Sequence, residues 1–285
     1  MIVVTGASGQ LGRLVVAALR ERIPANQIVA VARNTDKIAD LAAEGVVVRH
    51  GDYDAPETLG SALEGAEKLL LISSNEVGRR AEQHKAVIEA AKTAGVSLVA
   101  YTSILHADIS PLILAEEHRA TEAMLKQSGL PYALLRNSWY TENYLLGVPV
   151  ALKSGTLYGA TGEGKISTAP RADYAEAAAV VLTAAEPQAG RVYELAGDEP
   201  YTLAQFAAEL SRQSGKEIAY QNLSEADYAA ALVSGGMPEL FATVLAQSDA
   251  CAAKDALFDD SRQLSTLIGR PTTPLSNVLA AALKG

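Results

Sequence analysis

The tightest constraint on what this chain can fold into lies in its first twelve residues. Ile2-Val3-Val4 is a short apolar run with strand character, and Gly6, Gly9 and Gly12 follow it at once. Leu11, Leu14, Val15, Ala18 and Leu19 then recur at the spacing of one helix face. A strand, a glycine-rich turn and a helix in that order turn backbone N–H groups and the positive end of a helix dipole toward an anion. Gly6 permits the tight turn out of the strand. Gly9 lets a phosphate approach the backbone with no Cβ between them, and Gly12 lets the helix pack close to the sheet. The spacing is G-x-x-G-x-x-G, a variant of the G-x-G-x-x-G pattern of dinucleotide folds. Its context, between an apolar strand and a periodic helix, reads as a dinucleotide-binding turn. The plainer alternative is a strand–helix turn that uses glycine for backbone reasons alone.

The next strand supplies a second, independent signal. Ile28-Val29-Ala30-Val31-Ala32 is another apolar run, and it ends at Arg33. About twenty residues beyond the glycines, an acidic residue would hold the adenosine ribose hydroxyl of NAD. An arginine accepts no hydrogen bond but can fork onto a 2′-phosphate, so Arg33 favours NADPH over NADH. An ordinary exposed arginine at a strand end is the alternative.

Bulk composition narrows the class. Across 285 residues, 49% are hydrophobic and 20% charged, as in a globular protein with a substantial core. A net charge of −9 argues against nucleic acid or an anionic membrane as a general partner. The single cysteine, Cys251, cannot form an intramolecular disulfide or a cysteine-cluster metal site. His50, His84, His106 and His118 lack metal-ligand spacing, so no metal is expected. With the first strand starting at residue 2 and no apolar run of membrane-spanning length, a cytoplasmic location is expected.

Strands and helices alternate through the first two-thirds of the chain. Apolar strands are expected at 46–50, 68–72, 97–101, 132–136 and 191–195, with helices at 36–43, from Pro56, and at 79–94, 112–128 and 171–185. Continuous apolar strands between amphipathic helices predict an α/β fold, a doubly wound parallel sheet of about seven strands. Right-handed crossovers place every strand's C-terminal end along one edge, and ligands bind outside those ends. That rule nominates the glycine turn, Arg33, Asp52, Tyr53, Ser73, Ser74, Asn75, Thr102, Ser103 and Asn137 onward. After Asn137 the alternation loosens into a polar-aromatic stretch, then short strand-like pieces at 156–158 and 165–168. Beyond Gly197 the pattern is mainly helical, with helix-start boxes at Thr202-x-x-Gln205 and Ser224-x-x-Asp227. Residues 1–142 and 170–198 are therefore expected to form the nucleotide-binding domain. Residues 143–169 and 199–285 are expected to form a smaller, mostly helical lobe that covers the substrate.

Two further motifs need weighing. Gly159-Ala160-Thr161-Gly162-Glu163-Gly164-Lys165 begins like a nucleoside-triphosphate loop. Ile166 stands where a Ser or Thr is needed for magnesium, and a strand rather than a helix follows. It reads as a glycine-rich hairpin. His118 and Glu122 are four apart on one helix face. They could serve as an acid–base pair, or as a surface or helix–helix contact. Cys251, with no neighbouring base, reads as packing.

Together these residues resemble the NmrA-like, atypical branch of the short-chain dehydrogenase/reductase superfamily. The carrying features are Val4-Thr5-Gly6-Ala7-Ser8-Gly9-Gln10-Leu11-Gly12, Val31-Ala32-Arg33-Asn34, Gly51-Asp52-Tyr53, Leu70-Leu71-Ile72-Ser73-Ser74 and the run from Leu135 to Tyr144. The likeness spans essentially the whole chain, and within the branch it is strongest to zinc-independent bacterial NADPH:quinone oxidoreductases, with triphenylmethane-dye reductases as near relatives. It implies a seven-stranded Rossmann domain, a small helical lobe, and NADPH as cofactor. Gly6, Ala7, Ser8, Gly9, Gln10 and Leu11 would hold the diphosphate, Arg33 the 2′-phosphate, and Ser73, Ser74 and Asn75 the cofactor's middle. Asn137, Ser138, Trp139, Tyr140, Thr141 and Glu142 would meet the nicotinamide end, with Asn137 and Tyr140 bordering the acceptor as catalytic candidates. The superfamily's usual Tyr-x-x-x-Lys motif is absent, because no tyrosine here has lysine four residues later. Ser103 holds the usual serine position without its tyrosine partner. That absence fits a quinone-like small-molecule acceptor, which is electron-poor and delocalises charge before protonation. It fits equally a redox sensor that binds NADP(H) without turnover, or the same reduction of a cationic aromatic dye.

A charge-assisted contact from Arg33 to a 2′-phosphate contributes about 1.5–3 kcal/mol, roughly ten- to a hundredfold in affinity. Arg33→Ser should erase most of a preference for NADPH and leave NADH binding nearly unchanged, as read by titration with both dinucleotides. Equal binding of the two by the unmutated protein would sink the assignment.

Overall fold

The computed structural model describes residues 1–284. In chain order the elements are β1 (Ile2–Val4), α1 (Gln10–Arg20), β2 (Ile28–Ala32), α2 (Ala39–Ala43), β3 (Val47–His50), α3 (Leu59–Ala62), β4 (Lys68–Leu71), α4 (Arg80–Thr93), β5 (Leu98–Ile104), α5 (Ile113–Ser128) and β6 (Tyr132–Asn137). Then come α6 (Thr141–Leu145), α7 (Val148–Ser154), β7 (Thr156–Gly159), α8 (Arg171–Thr183), β8 (Val192–Leu195), α9 (Leu203–Ser214), β9 (Ala219–Asn222), α10 (Glu225–Ser234), α11 (Glu239–Ala252), α12 (Gln263–Ile268) and α13 (Leu275–Ala282). These residues group into two compact units. One comprises Met1–Ala107, Glu116–Asn137 and Arg171–Tyr193; the other comprises Asp108–Ala115, Ser138–Pro170 and the described residues from Glu194 onward. No helix among the described residues is long and apolar enough to cross a membrane.

The expected α/β architecture is present. Seven strands lie in the order β3-β2-β1-β4-β5-β6-β8. Neighbours from β3 through β6 pair in parallel. β8 runs in step with β6: Gly190 N–H donates to Tyr132 O and Leu134 N–H to Arg191 O. The order reverses on either side of β1, which sits between β2 and β4. That reversal is the switch point where a doubly wound sheet opens a crevice.

In the first unit one face of the sheet buries Val3, Val29, Val31, Leu69, Leu71, Val99, Tyr101 and Leu134 against Leu59, Leu63, Val87, Ile88, Ala91 and Leu125 from α3, its C-terminal cap, α4 and α5. Each fully buried aliphatic side chain contributes about 1.5–3 kcal/mol. α1 packs on α8, whose Ala175, Ala177, Ala178 and Ala179 are buried. Contact on two sides turns the buried face of α1 to Leu11, Gly12, Val15, Val16 and Leu19. Leu14, expected on that face, is exposed, and Val16 takes its place.

Three other expectations shift, one for a local reason and two through contacts distant in sequence. Residues 36–43 form a 3-10 turn, Thr35–Ile38, and then α2, because Asn34 Oδ1 accepts the Asp36 N–H at 3.0 Å and tightens the start. β5 does not stop at Tyr101: Thr102, Ser103 and Ile104 continue the ladder beside Leu135, Arg136 and Asn137. The glycine-rich hairpin does not form. Residues 165–168 make only an isolated bridge, Ile166 with Tyr201, while β7 pairs in parallel with β9. A Cβ on Gly164 would lie 2.8 Å from the Ala252 carbonyl carbon. The turn is thus pressed onto the end of α11 and cannot fold back beside β7.

The second unit is mainly helical. α9 begins in the expected capping box, with Thr202 and Gln205 bonding each other's backbone N–H. Ser224 accepts the Asp227 N–H and so caps α10. Within this unit Asp249 is 3% exposed. It accepts the Tyr144 hydroxyl on Oδ1 and the Ala160 N–H on Oδ2, each at 3.0 Å. Burial pushes its carboxyl up from 3.8 to about 6, with those two bonds opposing the rise.

A folded-state pKa above the unfolded one means that the fold favours neutral Asp249. Its contribution to stability is full below about 4 and is lost as pH rises through about 6. Asp249→Asn does not titrate, so it should gain on the unmutated protein by on the order of 2 kcal/mol between acidic and mildly alkaline pH. Urea unfolding followed by fluorescence of Trp139, which lies in the same unit, measures this. A stability difference independent of pH would remove Asp249 from the account.

Candidate functional site

The glycine turn is fixed from both sides of β1. Thr5 N–H donates to Leu70 O of β4 at 3.1 Å, and two residues later Ala7 N–H donates to Val31 O of β2 at 3.0 Å. Between them Gly6 takes φ +62°, a backbone region that side-chain-bearing residues avoid. Gly9 caps α1 with no side-chain hydrogen bond, and the first helical turn carries no acidic residue. The first N–H groups of α1 therefore have no intrahelical partner and no local carboxylate. A Cβ on Gly9 would meet only Gly6 O, at 3.2 Å, whereas one on Gly12 would lie 2.7 Å from Ala7 Cα. Gly12 is thus required by the turn itself, and Gly9 leaves the space in front of it open.

Behind the turn stands a layer of polar contacts that the sequence did not announce. Tyr53 Oη lies 2.5 Å from Thr5 Oγ1 and 2.9 Å from Ile72 O, so it ties β1 to β4. Thr102 Oγ1 accepts the Ser73 N–H at 2.8 Å, and His84 Nε2 accepts the Ser74 N–H at 3.0 Å. Accepting on Nε2 leaves the His84 proton on Nδ1, 2.9 Å from Thr121 Oγ1. Burial, reinforced by the charge of Arg80, holds this imidazole neutral, with its pKa pushed down to about 3. Arg80 Nε donates to Ser74 O at 2.6 Å, and Glu117 accepts the N–H groups of Gly78 and Arg80 at the start of α4. The loop after β4 is a fixed platform.

Arg33, at the end of β2, reaches across to that loop and donates from Nη1 to Glu76 Oε1 at 2.7 Å. Asn75 is exposed beside it. Gly6 to Leu11, Arg33 and Ser73 to Asn75 therefore all sit at the C-terminal ends of β1, β2 and β4, the three strands that meet at the switch point.

At the ends of β5 and β6 a buried ion pair replaces the suggested acid–base pair. Glu122 accepts Arg136 Nε on Oε1 at 2.9 Å and Nη2 on Oε2 at 2.8 Å. Oε1 also accepts the Ser103 hydroxyl at 2.7 Å. Both ionic side chains are nearly closed to solvent. Breaking such a pair by removing one partner costs about 3–5 kcal/mol, because a buried charge is left alone. His118 is not bonded to Glu122. Its Nδ1 lies 2.7 Å from Tyr101 Oη, and burial lowers its pKa well below the ordinary histidine value. Just beyond Arg136, Asn137 closes β6, where its backbone O accepts the Leu105 N–H at 2.9 Å. The Asn137 amide oxygen is buried with no hydrogen-bond partner among the described residues.

In the second unit, Ser138 and Trp139 are buried and Tyr140 is half-buried. The Ser138 hydroxyl also has no partner among the described residues. Tyr140 bridges to Ala169, and the Thr141 N–H donates to Ala169 O at 3.0 Å. Thr141 Oγ1 contacts Thr168 Oγ1 at 2.8 Å, and Thr168 Oγ1 contacts Tyr201 Oη at 2.7 Å. Glu142 follows in the first turn of α6. Cys251 is half-buried, with its Sγ 3.1 Å from Gln247 Nε2. No group of three or more metal-ligating side chains occurs among the described residues.

These features fit a dinucleotide: an uncapped helix N-terminus, an open glycine in front of it, a cation at the next strand's end, and an orphaned amide oxygen at β6. The family model of NAD(P)H-binding proteins matches residues 6–185. The chain belongs to that family. Over 276 residues it is 59% identical to quinone oxidoreductase 2 of Escherichia coli strain K12, covering 97% of this chain and 96% of that protein. A crystal structure of an Escherichia coli NADPH-dependent quinone oxidoreductase complexed with NADPH superposes with a TM-score of 0.97 at 58% identity, covering 99% and 100% of the two chains. Triphenylmethane reductase from Citrobacter sp., complexed with NADP(H), gives a TM-score of 0.95 at 38% identity over 99% and 100%.

For an NAD(P)H-binding protein the two glycines make separable demands. Gly9→Val should abolish NADPH binding while the circular dichroism spectrum and unfolding midpoint stay close to those of the unmutated protein. Gly12→Ala instead crowds backbone atoms and should cost about 1–3 kcal/mol of stability. Normal NADPH binding by Gly9→Val would show that the turn holds no phosphate.

Proposed function

We propose that this protein is an NADPH-dependent reductase that delivers a hydride to a quinone-like acceptor without a metal. The carrying observation is whole-length similarity, at 59% identity, to quinone oxidoreductase 2, joined to a switch-point glycine turn and Arg33. The first unit is the nucleotide-binding domain. Gly6, Ala7, Ser8, Gly9, Gln10 and Leu11 bind the diphosphate through backbone N–H groups and the α1 N-terminus. Arg33 binds the 2′-phosphate, and Ser73, Ser74 and Asn75 line the middle of the dinucleotide. The unsatisfied amide oxygen of Asn137 borders the nicotinamide, and the stretch Ser138, Trp139, Tyr140, Thr141 and Glu142 continues that side. The cytoplasm is the setting this reading assigns.

NADPH, when bound, supplies the hydride. The chain's own residues have a smaller task than in an alcohol dehydrogenase: to fix the two reactants in a near-attack arrangement and keep water away. A hydroquinone anion is delocalised as it forms and takes its proton without a dedicated acid. Ser103 provides none, since its hydroxyl proton is engaged by Glu122. Tyr140 offers a flat ring and a polar tip, the combination an acceptor pocket uses for stacking and orientation.

Purified protein with NADPH and a panel of quinones and cationic triphenylmethane dyes should oxidise NADPH catalytically, with quinones preferred. Tyr140→Ala should lower quinone turnover about tenfold or more, the loss of one contact made chiefly in the transition state. Its NADPH affinity should change little. Tight, discriminating binding of oxidised against reduced cofactor with no turnover on any acceptor would identify a sensor instead. Turnover untouched by Tyr140→Ala would retain the enzyme and discard Tyr140 from the acceptor site.

A further inference from the structure

Arg33 is not an idle cation. Its Nη1 donates to Glu76 Oε1 at 2.7 Å, and the Arg33 side chain is 57% exposed against 28% for Glu76. Glu76 does not depend on Arg33 alone. Its other oxygen, Oε2, takes Arg79 Nη1 at 3.3 Å and Gln83 Nε2 at 3.1 Å. Gln83 is 3% exposed and shares the same amide nitrogen with Asp54, at 3.1 Å from Oδ1 and 3.0 Å from Oδ2. Arg79 also forks onto Asp54, at 2.8 and 3.2 Å. The end of β2 therefore faces a small charged lattice of two arginines and two carboxylates, pinned by a buried glutamine.

We propose that Glu76 is a specificity-setting residue, an internal carboxylate that competes with the cofactor's 2′-phosphate for Arg33. The proposal rests on the reading of Arg33 given above. A phosphate at Arg33 draws the guanidinium from one anion to another of greater charge, so the exchange is favourable but opposed. Glu76 loses one donor in the exchange and keeps two, Arg79 and Gln83, so no orphaned carboxylate results. The cost of the exchange is the lost Arg33–Glu76 pair, which opposes binding. NADH carries no such phosphate and leaves the Arg33–Glu76 pair intact. Glu76 thus lowers affinity for NADPH selectively and limits how tightly the dinucleotide is held between turnovers.

The test uses Glu76→Gln, which keeps an acceptor oxygen for Arg33 and removes the charge. Affinities for NADPH, NADH and 2′,5′-ADP are measured by calorimetry on the intact protein. Glu76→Gln should bind NADPH and 2′,5′-ADP about two- to fivefold more tightly, the range set by an exposed ion pair, with NADH unchanged. The gain should vanish in the Arg33→Ser background. Unchanged or weaker NADPH binding by Glu76→Gln, in a protein where Arg33→Ser alone erases the cofactor preference, overturns the competition and leaves the Arg33 reading standing. A cofactor preference indifferent to Arg33→Ser overturns both.

Discussion

Two backbone hydrogen bonds carry the architecture of the nucleotide end: Thr5 N–H to Leu70 O, and Ala7 N–H to Val31 O. They belong to residues two apart, yet they reach strands on opposite sides of β1. The chain can do this only from a strand with a neighbour on each side, and only by turning sharply between them, which Gly6 does at φ +62°. The same turn launches α1 so close to its own start that Gly12 must lack a Cβ. Once these contacts are set, the position and direction of α1's N-terminus are no longer adjustable. An anion site of this kind works because its N–H groups are held in place before the ligand arrives, so little ordering remains to be done on binding.

The first unit keeps that edge rigid by burying polar side chains that bond to one another and to the strand-end loops. Tyr53, His84, Tyr101 and His118 form a chain of ring contacts with centroids 6.2, 5.4 and 5.8 Å apart. Each ring also has a hydrogen-bond partner. Burial keeps both imidazoles neutral, so the chain carries no charge that would need compensation in a region of low dielectric. Where charges are buried, Glu122 and Arg136 neutralise each other with two-point geometry. These bonds specify the fold at this edge, while the Asn137 amide oxygen at the end of β6 is left without a partner among the described residues.

The fold was legible because its signals are local and repeated. Apolar strand runs, amphipathic helices and three glycines at fixed spacing each report on residues near them in sequence. Three boundaries shifted where a non-local contact intervened: α8 rotates the buried face of α1, the neighbouring strand β6 extends β5, and α11 deflects the glycine-rich segment after β7. The candidate cofactor residues were legible for the same reason, since strand ends can be counted. What was hidden lay one layer behind them. Nothing in the spacing of His84 or Gln83 distinguishes them from other polar residues on a helix. Glu76 is 43 residues from Arg33, and only the strand order shows that they meet. His118 and Glu122 share one face of α5, as their spacing requires, but they serve different neighbours, Tyr101 and the Ser103–Arg136 pair, which spacing does not show.

The fate of Ser103 connects fold to chemistry. In the superfamily's usual site, the serine at this strand position acts with a tyrosine and a lysine that this chain lacks. Here the serine is retained and points its proton at Glu122, whose second role is to neutralise Arg136, the residue before Asn137. A hydroxyl already donating to a buried carboxylate is a poor donor to a ketone oxygen, because transfer would strand the carboxylate without that bond. The position has become part of the structure that fixes the end of β6. That change disfavours reduction of simple ketones, whose alkoxide must be protonated as it forms. It leaves open the reduction of acceptors that spread their charge over a ring. A serine held in this way, with no Tyr-x-x-x-Lys motif in the chain, fits electron-poor, delocalised acceptors, of which a quinone is the simplest.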